Sequence, residues 1–181
     1  MRSIFGRIDE MRKLGIYDIP FTGLILGTHR YQFEIDSTFF DQFENSEIED
    51  AVFSIELDLE KQSTMLILHF NIKGKVNTIC DSCGDDLSLK VSYKDRVIVK
   101  FGEEGVEQTD EIWEIAQHEH KINVANLIYE YSHLALPSRR IHPKGKCNEK
   151  AIDQLHKLEQ KQEEVIDPRW EGLKSIKKDL K

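Results

Sequence analysis

The chain has 181 residues, long enough for one domain with a proper core and short for two. Apolar residues make up 39% and charged residues 32%, which sets a modest core beneath a charged surface. The formal net charge of −8 excludes a protein that coats nucleic acid over its whole surface, but leaves room for a local basic patch.

Three cysteines are an odd and sparse set, unlike that of a small secreted domain stapled by disulfides. A reducing compartment follows, in which thiols are free or hold metal. In the opening "MRSIFGRIDEMRKLGIYDIPFTGLILG" the longest apolar run is Leu24-Ile25-Leu26, flanked by Gly23 and Gly27. That is too short for a signal peptide or a membrane span, so a soluble, cytoplasmic protein is expected. Met1 and Met11 are alternative starts between which the sequence does not decide.

In chain order, "RYQFEID" (30–36) alternates as a half-buried strand does. "STFFDQFENSEIED" (37–50) reads as a short helix or an irregular link. "AVFSIELDLE" (51–60) then puts Phe53, Ile55, Leu57 and Leu59 on one face, the cleanest two-residue period in the chain. "TMLILHFNIKGKVNTI" (64–79) does the same with Leu66, Leu68, Phe70 and Ile72, and Gly74 inside it suggests a bulge, bend or tight turn. "LSLKVSYKDRVIVKF" (87–101) resumes the alternation through Leu87, Leu89, Val91 and Tyr93, so Cys80 and Cys83 are expected at the tip of a long antiparallel hairpin.

From Phe101 to Glu119 there are seven acidic residues and no lysine or arginine, which reads as a solvated link with a short strand near Ile112–Ile115. "INVANLIYEYSHLALP" switches to a helical period through Val124, Leu127, Ile128, Tyr131, Leu134 and Ala135. Asn123 is the expected N-cap and Pro137 the stop, giving a buried helix over about 123–136. "NEKAIDQLHKLEQKQEE" is a second helical stretch with a thin stripe through Ile152, Leu155 and Leu158. Trp170, Leu173 and Ile176 are the few anchors of the closing segment.

A C-x-x-C pair followed by Gly84 at a hairpin tip has the shape of a zinc knuckle, whose glycine takes positive φ and whose turn aims backbone N–H groups at the sulfurs. A structural zinc needs four donors, and His142 and Cys147 in "RRIHPKGKC" complete a three-cysteine, one-histidine set. Two other readings stay open: a turn whose thiols bind nothing, and a redox pair. The redox pair is disfavoured because such motifs open a helix, whereas a strand follows here. His69, His118 and His120 read as solvent-facing, and no nucleophile elbow, phosphate-binding glycine loop or His–Glu zinc motif is present. No catalytic residues are assigned, and no small-molecule substrate or membrane partner is expected.

Charge is distributed unevenly. Arg139, Arg140, Lys144 and Lys146 cluster in "SRRIHPKGKCNEK", and Arg169, Lys174, Lys177 and Lys178 in the closing segment, where Trp170 could stack on a base. These are candidate RNA or ribosome contacts, against the plainer reading that basic side chains solubilise helix ends.

The order of these features resembles the bacterial and plastid YceD family, named for large ribosomal RNA subunit accumulation. The residues that carry the likeness are Gly74, Val76, Cys80 and Cys83 in the hairpin, Leu134 to Pro137 at the helix end, and Asp167 to Trp170 with Leu173 and Lys174 near the close. It runs from about Tyr17 to the end. Two departures stand out. Ser82 replaces the usual arginine before the second cysteine, and His142 with Cys147 stands where many relatives carry a second cysteine pair. The resemblance implies a non-enzymatic factor that keeps large-subunit ribosomal RNA at normal levels, but it carries over neither the direct partner nor the role of the cysteines. The partners expected, ribosomal RNA precursor or ribosomal and assembly proteins, and the one candidate cofactor, a structural zinc, rest on the basic patches and the donor set.

The expected fold is α+β: an antiparallel sheet of long strands, one buried helix and a charged, partly helical C-terminal tail, with a domain over 1–147 and the tail over 148–181. The second functional reading is a protein-interaction module that binds a basic partner, such as a ribosomal protein, through the acidic segment 101–119.

Overall fold

A computed structural model of the chain describes residues 14–44, 46–102, 112–116 and 118–161. It divides into two compact units. One comprises the chain up to Ile79 together with Asp86–Arg140, and the other comprises Cys80–Asp85 together with the chain from Ile141 onward.

The first unit is built on a five-stranded sheet in the order β2-β3-β4-β5-β6, with β2 Gly27–Ile35, β3 Asp50–Lys61, β4 Met65–Ile79, β5 Asp86–Gly102 and β6 Ile112–Ala116. The alternating side chains fix which face is buried. Phe53, Ile55, Leu57 and Leu59 of β3 and Leu66, Leu68 and Ile72 of β4 are all fully buried, and Val97 and Val99 of β5 extend the same face. A two-stranded ribbon, β1 Asp18–Pro20 with β7 Lys121–Asn123, is tied by Asp18, which accepts from Lys121 Nζ at 2.6 Å and Asn123 Nδ2 at 2.7 Å.

The α+β expectation holds, with one correction to the sheet. β2, β3, β4 and β5 pair antiparallel, but β6 runs parallel to β5, with Ile98 opposite Ile112 and Gly102 opposite Ala116, so the sheet is mixed. Alternation shows that a segment is a strand and which face it buries. It does not show strand direction, because that depends on how the chain returns from β5 to β6.

Helix α1, Ser37–Phe40, is short and is capped by Asp36, whose carboxylate accepts from Thr38 N–H at 3.0 Å. Helix α2, Ala125–Leu134, covers the apolar face of the sheet. Its Val124, Ile128 and Tyr131 are buried, and Tyr131 sets its ring edge-on to Phe70 at 5.2 Å. The N-cap is Val124 rather than the expected Asn123, which sits one residue earlier and accepts from Ala125 N–H at 3.0 Å. Leu134, read as part of the apolar stripe, is instead 59% exposed, because the helix ends there and turns its last residue outward. In the second unit, helix α3, Glu149–Lys161, starts on Asn148, whose side chain accepts from Lys150 N–H, and its Leu155 and Leu158 are exposed.

Gly74 is neither a bulge nor a turn. It lies within an unbroken register, directly opposite Phe53, and a Cβ there would fall 2.3 Å from Phe53 Cδ1. The missing side chain makes room for a fully buried ring. Gly74→Ala should therefore destabilise the protein by about 1–3 kcal/mol through overpacking, although alanine normally improves on glycine in a strand. Urea unfolding checks this, and unchanged or increased stability would refute the packing role.

Candidate metal centre

Cys80 follows β4 directly, and six residues, Cys80–Asp85, close the hairpin onto β5. The loop is held by two backbone bonds: Cys80 N–H donates to Asp85 O at 2.8 Å, and Gly84 N–H donates to Cys80 O at 2.9 Å. Gly84 has φ of 76°, a left-handed conformation that its lack of a Cβ makes cheap. The second half of the site is another tight turn. Lys146 N–H donates to Pro143 O at 3.0 Å, and Gly145 has φ of 78° at the turn position that demands it. That turn brings Cys147 back beside His142.

Both halves lie in the second unit, and their four donor atoms come together within 4.8 Å of one another. Cys83 Sγ stands 3.4 Å from His142 Nδ1, Cys147 Sγ stands 4.0 Å from the same nitrogen, and Cys80 Sγ lies 4.0 Å from Cys147 Sγ. Around a tetrahedral ion with metal–sulfur bonds of about 2.3 Å and metal–nitrogen bonds of about 2.0–2.1 Å, sulfurs sit about 3.8 Å apart and sulfur and nitrogen about 3.5 Å. The donor set therefore fits such an ion in chemistry and in spacing.

The electrostatics agree. Burial works against ionising Cys80, but backbone N–H groups of Cys83, His142 and Ser82 and the Cys83 thiol point at its sulfur and bring its pKa down to about 6. Cys147 moves the other way, raised by burial and by its neighbours Cys80 and Cys83. Crowded thiols cannot all ionise without a cation among them, which is what a metal supplies.

All four residues expected as ligands are thus brought together, with Cys80 buried and the others half-buried. Of the expected RNA contacts, Arg139, Lys144 and Lys146 are exposed, and Arg140 is half-buried with its Nη1 3.9 Å from Glu47 Oε2. Arg169, Trp170, Lys174, Lys177 and Lys178 lie outside the described residues, as does most of the acidic segment 101–119. His69, His118 and His120 are exposed, as expected. Residue spacing gave no sign that the backbone N–H of His142 would reach the Cys80 sulfur. Among the described residues, no helix is long and apolar enough to cross a membrane.

The sequence model of a family described as large ribosomal RNA subunit accumulation protein YceD matches residues 68–177, more than half of the chain. The match begins inside β4, short of the Tyr17 start suggested by the resemblance. No curated protein and no solved structure matches the chain significantly.

Cobalt(II) titrated into the reduced, metal-free protein should give the visible bands of a tetrahedral, thiolate-rich site, saturating at one ion per chain. Cys83→Ser should weaken and shift them. Lack of such bands would show that the four donors do not act together.

Proposed function

The chain belongs to the YceD family of large ribosomal RNA subunit accumulation proteins, and from that premise we propose that it is a non-enzymatic, cytoplasmic ribosome biogenesis factor that supports accumulation of large-subunit ribosomal RNA. The family match is the observation that carries this reading. Its partners are precursor large-subunit RNA and the proteins assembling on it, met through Arg139, Arg140, Lys144 and Lys146 and the basic closing segment.

Zinc is the ion the site suits best. Three thiolates and an imidazole are soft-to-borderline donors, and four such donors close a tetrahedron. A closed set supports a structural role, since a catalytic zinc keeps one position open for water or substrate. Cys80, Cys83, His142 and Cys147 would hold the ion, which would cross-link Cys80–Asp85 to the segment that begins at Ile141. The ligands must be deprotonated to bind, so zinc affinity should fall as pH drops.

Sucrose gradients of gently lysed cells test the function. The protein should migrate with large-subunit precursors and move to the top after nuclease treatment; a position at the top in both conditions would overturn the reading. Reversing Arg139, Lys144 and Lys146 to glutamate should weaken binding to a large-subunit RNA transcript about tenfold and lower the slope against salt by about 2. The acidic-segment alternative predicts a complex that survives nuclease.

A further inference from the structure

The buried face of the sheet takes most of its apolar residues, although Val52 and Ile79 are exposed on the other side. Among the described residues nothing covers that opposite face, and the strand register shows what gathers there. Reading across β3, β4 and β5, three successive rows are Val52–Lys75–Lys90, Ser54–Lys73–Ser92 and Glu56–Asn71–Lys94. The four lysines are exposed, and among the described residues none of their ammonium groups makes an ion pair or hydrogen bond.

Carboxylates do occur on this face, but most already have partners. Glu56 accepts from Asn71 Nδ2 at 2.6 Å, Asp50 from Asn77 Nδ2 at 2.8 Å, and Asp58 holds Arg30 through two bonds of 2.7 and 3.1 Å. Glu34 stands beside Ser54 in the middle row, two strands from Lys73, at a spacing of about 10 Å. Arg30 neutralises Asp58, while Glu56 and Asp50 keep their charge but are held by neutral amides, so among the described residues no carboxylate is bonded to the four lysines.

The lysines have no evident structural use. Lysine on an edge strand blunts unwanted pairing, and that explanation suits Lys90 and Lys94, because β6 pairs with β5 only from Ile98 onward. It does not reach Lys73 and Lys75, which sit on β4, the middle strand of five. Lys75 also stands directly opposite Lys90, a like-charge pair that costs stability rather than adding it.

We propose that this open lysine face is an RNA-binding surface, with Lys73, Lys75, Lys90 and Lys94 contacting the phosphate backbone. The occupant follows from charge complementarity. An exposed, largely polar face with clustered ammonium groups suits a polyanion with little shape requirement, and phosphate contacts position RNA without reading its sequence. The inference rests on the biogenesis reading and adds to it a surface absent from the segment 139–178.

The test is binding of a large-subunit RNA transcript, as a function of salt, to the full chain and to the variant carrying Lys73→Gln, Lys75→Gln, Lys90→Gln and Lys94→Gln. The variant should bind about a hundredfold more weakly near 0.1 M salt, with its log–log slope reduced by about 3. Its melting temperature should match or exceed the parent's, since the Lys75–Lys90 repulsion is gone. The corresponding all-arginine variant should retain binding. Equal binding and slope for parent and glutamine variant would overturn the lysine face and leave the biogenesis reading standing. Loss of binding in the arginine variant would overturn the phosphate-charge basis. A parent that binds no RNA would overturn both.

Discussion

The pairing of β4 with β5, continuous from Met65–Lys100 to Ile79–Asp86, is the constraint on which the rest depends. Because side chains alternate, a slip by one residue would turn Leu66, Leu68, Phe70 and Ile72 out to solvent, and the hydrophobic effect forbids it. A slip by two would preserve every face, so alternation cannot exclude it. Two local features do. Against β3, a two-residue slip would set Ile72 or Val76 opposite Phe53 in place of Gly74, where even one Cβ does not fit. At the far end, the Cys80–Asp85 loop closes on its own hydrogen bonds and admits no change of length.

That loop also explains why a metal would matter here. Among the described residues of the second unit, Cys80 alone is buried, and α3 leaves Leu155 and Leu158 exposed. The described part of the unit has almost no apolar core to offset the entropy of ordering its chain, and small units in that position depend on a staple. Two glycine turns preorganise two donors each. Joining the halves through one ion would convert binding free energy into folding free energy. The lowered pKa of Cys80 belongs to the same design, since backbone N–H groups already favour the thiolate before any cation arrives.

Much of this was legible from residue order because the strong signals are local and periodic. The faces at 53–59, 66–72 and 87–93 and the helix through Ile128 and Tyr131 follow from spacing. The grouping of Cys80 and Cys83 with His142 and Cys147 follows from donor chemistry alone, since nothing in the sequence sets the distance between its two halves. What could not be read depends on contacts remote in sequence. The role of Gly74 belongs to Phe53, and the parallel direction of β6 belongs to the path of the chain between β5 and β6. The lysine rows were within reach. Lys73 and Lys75, and Lys90 and Lys94, share a period-two phase opposite to the apolar one, but they join into a patch only when β4 and β5 are laid in register. Gly145 was readable too, since "PKGK" has the residues of a tight turn, though only the fold shows that the turn serves Cys147.

A net charge of −8 and an RNA-binding face are compatible because electrostatic forces in salt solution are short-ranged. At physiological ionic strength the screening length is about 8 Å, less than two inter-strand spacings, so the acidic remainder of the molecule is largely hidden from a phosphate lying on β4 and β5. Farther out, the same screening leaves no attraction for polyanions, so the net negative charge gives no drive to indiscriminate association. A protein so arranged attracts RNA only when the strand is brought against one face, by a second contact or by a partner already on the RNA. Local attraction on one face of the sheet, without long-range attraction, suits the proposed role, in which RNA is engaged only where it is brought against that face.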